Sequence, residues 1–173
     1  MFLTYWRQHP RMLWVILVVA LIGLDQLTKA YFANTIALGE SIPVTDWFNL
    51  VHVLNKGAAF SFLANVDGWQ RPVLIGVGIL VIVPIALACM SKKAESIERW
   101  AGGLVVAGGA SNLIDRIQTG AVVDFLDLHW RGWHWPAFNL ADSYIVCAVV
   151  VWLLLFRNTA PAKVTSTKTE AQA

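Results

Sequence analysis

Four long apolar stretches dominate this chain and leave little of it for any other architecture. They run over residues 12 to 32, 72 to 90, 99 to 117 and 138 to 156. A helix needs about 20 mostly apolar residues to cross the hydrocarbon core of a bilayer, and each stretch is close to that length. Only 14% of the residues are charged, against roughly a quarter in soluble domains. The sequence therefore predicts a mainly α-helical integral membrane protein with four transmembrane helices.

The basic residues are distributed unevenly between the two ends of these stretches. One side holds eight of the 13 Lys and Arg residues, namely Arg7, Arg11, Lys92, Lys93, Arg99, Arg157, Lys163 and Lys168. The positive-inside rule places this side, with both termini, in the cytoplasm. We expect one four-span domain over residues 1–157, followed by a disordered cytoplasmic tail over residues 158–173 that is rich in Ala, Thr and Lys.

The first apolar stretch has an alternative interpretation as a cleaved secretory signal, because Arg7 and Arg11 precede it. The apolar pattern continues past Leu24 to Phe32, and no convincing small-residue cleavage site follows it. Three further stretches come later in the chain. We therefore interpret the first stretch as a retained transmembrane helix.

The first outer connection, about residues 33–71, contains short runs of apolar and β-branched residues. These runs are Ile42 to Val44, Phe48 to Leu54 and Ala58 to Leu63. Short runs of this kind, separated by turn-forming residues, are typical of β-strands. The sequence predicts a small antiparallel β-sheet in this first periplasmic loop.

Polar residues gather at the outer ends of three stretches. They are Asp25, Gln26 and Lys29 in the first, Asn112, Asp115 and Arg116 in the third, and Asn139, Asp142 and Ser143 in the fourth. An ionisable residue within a membrane helix costs on the order of 2.5 to 3.5 kcal/mol and normally faces the bundle interior or a wet cavity. Because all of these residues lie at one predicted depth, they predict a single site.

Some of these charges have an evident structural explanation. Asp25 and Lys29 are four residues apart, and Asp115 is followed by Arg116. Such pairs can tie helices together, and charges near a helix end can also reach water. Any one of these residues taken alone is therefore more simply explained as structural than as catalytic.

Two aspartates lack that explanation. Asp124 lies in an apolar run, Asp142 begins the fourth stretch, and neither has an opposite charge within four residues. Three further aspartates have more polar or turn-like surroundings, and we expect solvated surface positions for Asp46, Asp67 and Asp127. Asp124 and Asp142 are thus the candidate catalytic residues.

The sequence gives little support for a metal site, a serine nucleophile or nucleic-acid binding. His129 and His134 lie in a Trp-rich loop without a nearby Cys or an HExxH motif, so we interpret them as interfacial histidines rather than zinc ligands. The serines have no GxSxG context. The net charge of +2 is too small to indicate a nucleic-acid partner. We expect no metal and no cofactor.

Two other functional classes stay open at this point. A proton-coupled transporter also uses intramembrane carboxylates, although a relay should cross both leaflets and the cytoplasmic halves of the four stretches carry no comparable carboxylates. A non-catalytic assembly factor could dock a partner helix against the small residues of the third stretch. Cleavage assays on aspartate variants would separate both classes from a protease.

Five sequence blocks resemble those of the lipoprotein signal peptidases. In family order they are DQLTK at 25–29, NKGAAFSF at 55–62, SNLIDR at 111–116, VVDF at 122–125 and FNLADS at 138–143. Together they cover nearly the whole chain except its tails. One departure is visible, because Ser111 stands directly before Asn112 where the family commonly has Gly.

The resemblance implies an aspartyl endopeptidase of the bacterial inner membrane that cleaves diacylglyceryl-modified prolipoproteins before the lipidated cysteine. Its partners would be these signal peptides and membrane lipids, and a monomer is expected. By motif match, Asp124 and Asp142 correspond to the catalytic dyad, with the active site at the periplasmic leaflet. The residues implied to bind substrate or support the dyad are Asn55, Gly57, Asn112, Arg116, Asn139, Asp25, Asp115 and Lys29.

The chemistry of such a pair follows from electrostatic repulsion. Two carboxylates about 4 Å apart repel by roughly 4 kcal/mol at an effective dielectric constant near 20, which corresponds to about three pKa units. One proton is therefore shared, so that one member can take a proton from water and the other can donate one to the scissile carbonyl. The sequence alone leaves the assignment of acid and base open, because a coupled pair titrates as a unit.

Overall fold

A computed structural model describes residues 9–57 and 69–158 as four helices and four strands. The helices are α1 (Pro10–Thr35), α2 (Gln70–Met90), α3 (Ser96–Gln118) and α4 (Leu140–Asn158). The strands are β1 (Ser41–Thr45), β2 (Phe48–Asn55), β3 (Val122–Trp130) and β4 (Trp133–His134). The predicted strand at Ala58 to Leu63, Asp67 and nearly all of the predicted disordered tail lie outside the described residues.

Two of the four helices meet the length and composition expected of a membrane span. Among the described residues, Pro10–Thr35 and Gln70–Met90 have mean hydropathies of 1.7 and 2.9 in their most apolar windows. Only 6% of the α2 window is buried inside the protein, and an apolar helix surface left so exposed is suited to lipid rather than water. The other two helices start and end close to the predicted bounds, but α3 carries several charges and the apolar part of α4, Leu140–Leu154, is shorter. Four spans remain a prediction.

Helix α3 lies at the centre of the bundle and packs against each of the other three helices. Its glycines let the neighbouring backbones approach closely, as small residues do in membrane bundles. A β-carbon added at Gly102 would collide with Cys89 of α2, and one added at Gly103 would collide with Trp14 of α1. A β-carbon added at Gly108 would collide with the Ala141 carbonyl of α4. The polar ends of α1, α3 and α4 are thereby held side by side.

The sheet is antiparallel with strand order β1-β2-β3-β4. The predicted runs Ile42 to Val44 and Phe48 to Leu54 form β1 and β2, but the sheet is not confined to the first outer connection, because β3 and β4 come from the segment before α4. The free edge of β2 needs backbone partners, and β3 supplies them in a register that places Val53 opposite Asp124. No local pattern indicates a pairing between segments about 70 residues apart.

The sheet is attached to the bundle through buried aromatic contacts. Phe125 of β3 is 2% exposed, and its ring stacks on Phe32 of α1 with the centroids 4.6 Å apart. Leu126 pairs with Phe138 in an isolated antiparallel bridge just before α4. These contacts fix β3, and with it Asp124, against the ends of α1 and α4.

Candidate active site

Asp124 of β3 and Asp142 of α4 share the partner Asn139 and influence one another electrostatically. The Asn139 side-chain amide donates a hydrogen bond of 2.7 Å to Oδ1 of Asp124. Its backbone N–H donates one of 3.3 Å to Oδ2 of Asp142. The two carboxyl groups, 18 positions apart in sequence, are therefore held around one asparagine.

Asp124 is almost completely buried, with 2% of its surface exposed. Its second oxygen, Oδ2, accepts a hydrogen bond of 3.0 Å from Nδ2 of Asn55 at the end of β2. The Asn55 amide is oriented in turn by the Gly57 N–H, which donates to its Oδ1 over 2.9 Å. Gly57 has a φ of 107°, a conformation that favours glycine. The Asn55-to-Gly57 turn thus aims an amide donor at Asp124.

Asp142 is held in place by hydrogen bonds that cap the N-terminus of α4. Its backbone N–H donates to Oδ1 of Asn139 over 3.0 Å, while its carboxylate accepts from the Asn139 N–H. This reciprocal arrangement is a capping box with an aspartate in place of the usual Glu or Gln. Asn112 of α3 donates to the other oxygen of Asp142 over 2.8 Å. A carboxylate in this first turn is also favoured by the helix macrodipole.

Lys29 of α1 joins α1 to α3 beneath the pair. Its ammonium group lies 2.6 Å from Asp25, 2.7 Å from Asp115 and 2.8 Å from Oδ1 of Asn112. A lysine has three N–H donors, so these contacts use all of them, and only 3% of the residue is exposed. The same amide of Asn112 bonds Asp142 through its nitrogen. Lys29 therefore fixes the orientation of a direct partner of Asp142.

Asp25 of α1 ties the start of α4 to the bundle. Its Oδ1 accepts a hydrogen bond of 2.9 Å from the backbone N–H of Ala141, a donor that has no partner within its own helix. Its Oδ2 accepts one of 2.7 Å from the Ser111 hydroxyl. Ser111, the departure from the family pattern, is fully buried and also accepts from Gln26 over 3.0 Å. The hydroxyl thus adds a bond to the support of α4.

Arg116 lies at the edge of this cluster. Its Nη1 donates to the backbone oxygen of Asn112 over 3.1 Å, and its positive charge interacts with the carboxyl groups of Asp142 and Asp124. Its Nε is buried without a hydrogen-bond partner among the described residues. Arg116 is therefore placed to act on the pair electrostatically rather than through a direct bond.

The acidity of Asp124 is strongly perturbed. Burial raises the pKa of Asp124 to about 7, and the neighbouring Asp142 acts in the same direction. The hydrogen bonds from Asn55 and Asn139 and the charge of Lys29 lower the pKa but do not outweigh burial. Asp124 therefore exchanges its proton near neutral pH, which is the behaviour needed of a group that transfers protons under physiological conditions.

A cleft of about 330 Å³ opens beside Asp124. Its walls come from the end of β2, the start of α2 and the segment before α4, and they are lined by Val53, Leu54, Asn55, Lys56, Gln70, Asp124, Pro136 and Ala137. Four of these side chains are apolar, and the other four, including the carboxyl group of Asp124, are polar. A mixed lining of this kind can contact the apolar part of a ligand while its polar groups orient the ligand.

The structure brings all ten residues of the predicted catalytic and supporting set into this cluster, together with contacts that this set did not include. Gln26 donates to Asp115 over 2.6 Å, and the Ala141 N–H bonds Asp25. Gln26 and Ser111 lie inside the DQLTK and SNLIDR blocks, so their sequence position was a usable signal. The backbone of Ala141 carries no sequence signal, since every residue except proline has the same N–H.

The prediction of a solvated surface position for Asp127 was wrong. Asp127 is 6% exposed, accepts a 2.8 Å hydrogen bond from Asn49 and lies 3.0 Å from Nδ1 of His134. Burial alone would raise its pKa, but the bonds from His134 and Asn49 lower the pKa below its usual value. His129 stacks on His134 and contacts Asn49. Cross-strand pairing buries Asp127, whereas Asp46 is exposed as expected.

Comparison with known proteins decides the family. Residues 17–157 match the family model described as "Signal peptidase (SPase) II", which is well over half of the chain. The chain belongs to the signal peptidase II family. Two similar members are named lipoprotein signal peptidase. The one from Janthinobacterium sp. (strain Marseille) is 43% identical over 86% of this chain and 91% of its own length. The one from Ralstonia nicotianae is 45% identical over 82% of each chain.

The solved structures agree with this signal peptidase II assignment. A bacterial membrane enzyme determined by the in meso method at 2.3 Å resolution superposes with a TM-score of 0.72 at 28% identity, covering 92% of this chain and 93% of that chain. A second one, determined at 1.9 Å, gives 0.73 over 85% and 94% of the two chains. The chain is therefore a peptidase, hence a hydrolase, and a membrane protein.

Proposed function

We propose that this chain is an intramembrane aspartyl endopeptidase that removes the signal peptide from diacylglyceryl-modified prolipoproteins by cleaving directly before the lipidated cysteine. The observation that carries the proposal is the pairing of Asp124 with Asp142 around Asn139 in a member of the signal peptidase II family. The names of the relatives supply the class of substrate. The carboxyl pair supplies the chemistry.

We assign the resting proton to Asp124, because burial favours its neutral form. Asp142 then takes a proton from water as the water oxygen attacks the scissile carbonyl carbon, and Asp124 donates its proton to the carbonyl oxygen. The product is a tetrahedral diol that is not bonded to the enzyme. In the second step Asp142 donates its proton to the cysteine nitrogen, Asp124 takes a proton from the diol, and the C–N bond breaks. The pair returns to its starting state.

The surrounding residues act by holding this pair in place. Asn55 and Asn139 donate to the two oxygens of Asp124, which leaves its proton directed away from both amides. Asn112 holds Asp142, and the positive charge of Arg116 lies close enough to both carboxyl groups to stabilise negative charge that develops between them. No step requires a metal or a cofactor.

Substrate selection follows from the position of the pair in a membrane protein. The signal helix and the diacylglyceryl chains of the substrate already lie in lipid, so they can reach the cleft of about 330 Å³ beside Asp124 from the side. We further propose that residues 40–63, of which 58–63 lie outside the described residues, cover the site and hold the peptide. Deletion of this segment also removes Asn55, the partner of Asp124, and should abolish cleavage while the helices remain inserted. Full activity would contradict both the covering role and the role of Asn55.

The proposed cellular arrangement is a monomer in the bacterial inner membrane with four spans, both termini in the cytoplasm and the carboxyl pair at the periplasmic leaflet. Arg11, Lys92, Lys93 and Arg99 lie at the opposite end of the bundle from the pair, in agreement with the positive-inside rule. Reporter fusions that are active on one side of the membrane, placed after residue 93 and after residue 131, test this orientation. Signals on the same side for both fusions would contradict it.

The decisive experiment is cleavage of a diacylglyceryl-modified prolipoprotein in detergent. Asp124→Asn and Asp142→Asn should each lower the rate by about 10²- to 10⁴-fold while retaining the elution profile of the folded wild-type protein. Asp46→Asn is the matched control, because this exposed aspartate lies in the turn between β1 and β2, and it should cleave at the wild-type rate. Robust activity of either dyad variant would refute the aspartyl mechanism.

A further inference from the structure

A cavity of about 500 Å³ opens at the end of the bundle opposite the candidate active site. It lies between the start of α1 and the connection from α2 to α3, and its lining includes His9, Arg11, Lys92 and Arg99. Asp25, the nearest residue of the active-site cluster on α1, is 14 positions beyond Arg11, or about 21 Å at 1.5 Å per residue. We call this space the basic cavity. No carboxylate is among the described residues that line it.

Arg99 is a buried residue in the lining of the basic cavity. It is 6% exposed, and its guanidinium donates to three backbone oxygens at the end of α2, those of Cys89, Ser91 and Ala94, over 2.9 to 3.2 Å. Its own backbone oxygen accepts a hydrogen bond of 2.8 Å from Trp14. These bonds fix the cation in position. They use Nε and Nη2, whereas Nη1 has no acceptor among the described residues.

The Lys and Arg residues that line this cavity form no ion pair with a carboxylate in the described part of the chain, although Glu98 lies beside Arg99 in the first turn of α3. Among the residues that the structure describes, no carboxylate lies within ion-pair distance of Arg99, Arg11 or Lys92. Three cations that converge on one partly desolvated space repel one another, and an anion placed between them would relieve this repulsion. Phosphate matches the geometry best, because a guanidinium can bond two of its oxygens at once and a lysine adds a point charge.

An apolar strip on α1 begins at the same cavity. Met12 lines the cavity, and Met12, Val15, Ile16 and Val19 are 46, 42, 46 and 62% exposed. Their spacing of three, four and seven residues places them on one face of the helix. A ligand with a phosphate head in the cavity could therefore lay an acyl chain along this face. The strip favours a lipid over a free phosphate ion.

We propose that the basic cavity binds the phosphate headgroup of an anionic phospholipid, with Arg11, Lys92 and Arg99 around the phosphate and an acyl chain along the Met12-to-Val19 face. Basic pockets between membrane helices are suited to such headgroups. The proposal requires that the chain is a membrane protein, but it does not depend on the aspartyl mechanism. Occupation of the cavity would clamp the start of α1 to the α2–α3 connection.

The test is thermal unfolding of the full chain in neutral detergent micelles. We expect added phosphatidylglycerol to raise Tm by about 5 to 10 °C at saturation, while phosphatidylcholine or inorganic phosphate at the same concentration has little effect. Arg11→Gln and Lys92→Gln should each reduce the phosphatidylglycerol shift to less than half of the wild-type shift. Arg131→Gln removes one exposed cation between β3 and β4 and should retain the full shift.

Three results would overturn the proposal. Equal shifts with phosphatidylglycerol and phosphatidylcholine would mean that the headgroup charge does not matter. An equal shift with inorganic phosphate would mean that the site recognises a free anion rather than a lipid. An equal loss of the shift in Arg131→Gln would mean that the lipid responds to net charge rather than to this cavity. None of these results bears on cleavage activity, which the dyad variants test separately.

Discussion

The buried carboxyl group of Asp124 should make the stability of the protein depend on pH in a defined way. Its pKa of about 7 in the folded state lies roughly three units above the value near 3.9 of an exposed aspartate. Each unit corresponds to about 1.4 kcal/mol. Because the folded state binds the proton more tightly, its extra stability is complete below about pH 4 and is lost as the pH rises to about 7. The total loss is about 4 kcal/mol.

Asp124→Asn removes this titration but also changes the hydrogen bonds. Both oxygens of Asp124 accept from amide donors, those of Asn55 and Asn139. The new amide nitrogen would face one of these donors, and the loss of that bond costs about 1 to 3 kcal/mol at every pH. We therefore expect the variant to be less stable than the wild type at about pH 4 and more stable at pH 8.

The measurement is Tm in detergent micelles from pH 4 to 8.5 for the wild type and for Asp124→Asn. A change of 4 kcal/mol in the difference between the two corresponds to roughly 10 °C for a chain of this size. Asp46→Asn, which alters an exposed turn residue, should follow the wild-type profile. Parallel profiles for the wild type and Asp124→Asn would refute the raised pKa and, with it, the assignment of the resting proton to Asp124.

Three further outcomes are expected. Gly108→Ala should lower stability by about 1 to 3 kcal/mol and reduce cleavage, because the added methyl group meets the Ala141 carbonyl. Gly23 has open space around it, so Gly23→Ala should change neither Tm nor the cleavage rate in the same assays. Lys29→Met leaves two buried carboxylates without their cation and should cost about 3 to 5 kcal/mol in denaturant unfolding. Asp127→Asn should flatten the loss of Tm below about pH 4, because a lowered pKa stabilises the folded state only above that pH.

Part of the candidate site could be predicted because its geometry is local. Asn139 and Asp142 are three residues apart, so a capping box at a helix start brings them together. The turn from Asn55 to Gly57 likewise depends on neighbouring residues. The apolar stretches indicated the four helices to within a few residues at each end, since an apolar run of that length leaves few alternatives to a helix in lipid.

The family of the chain was also accessible from the sequence, because its motif blocks occur in the order and spacing of that family. The motif blocks did not indicate which of them contact one another in the folded protein. Asp25 and Ser111 are 86 residues apart and yet hydrogen-bonded. Nothing in either segment specifies the other, because any hydroxyl can donate to any carboxylate that packing brings within reach.

What the sequence by itself determined is the set of helices, the polarity of their ends and the identity of the acidic groups, since these follow from composition and short-range spacing. Only the tertiary structure decided that β3 pairs with β2, that Lys29 joins α1 to α3 and that Asp127 is buried. Each of these depends on the register between distant segments, which is set by the packing of the whole molecule. Burial, and with it the proton affinity of Asp124, is a property of that packing rather than of any local pattern.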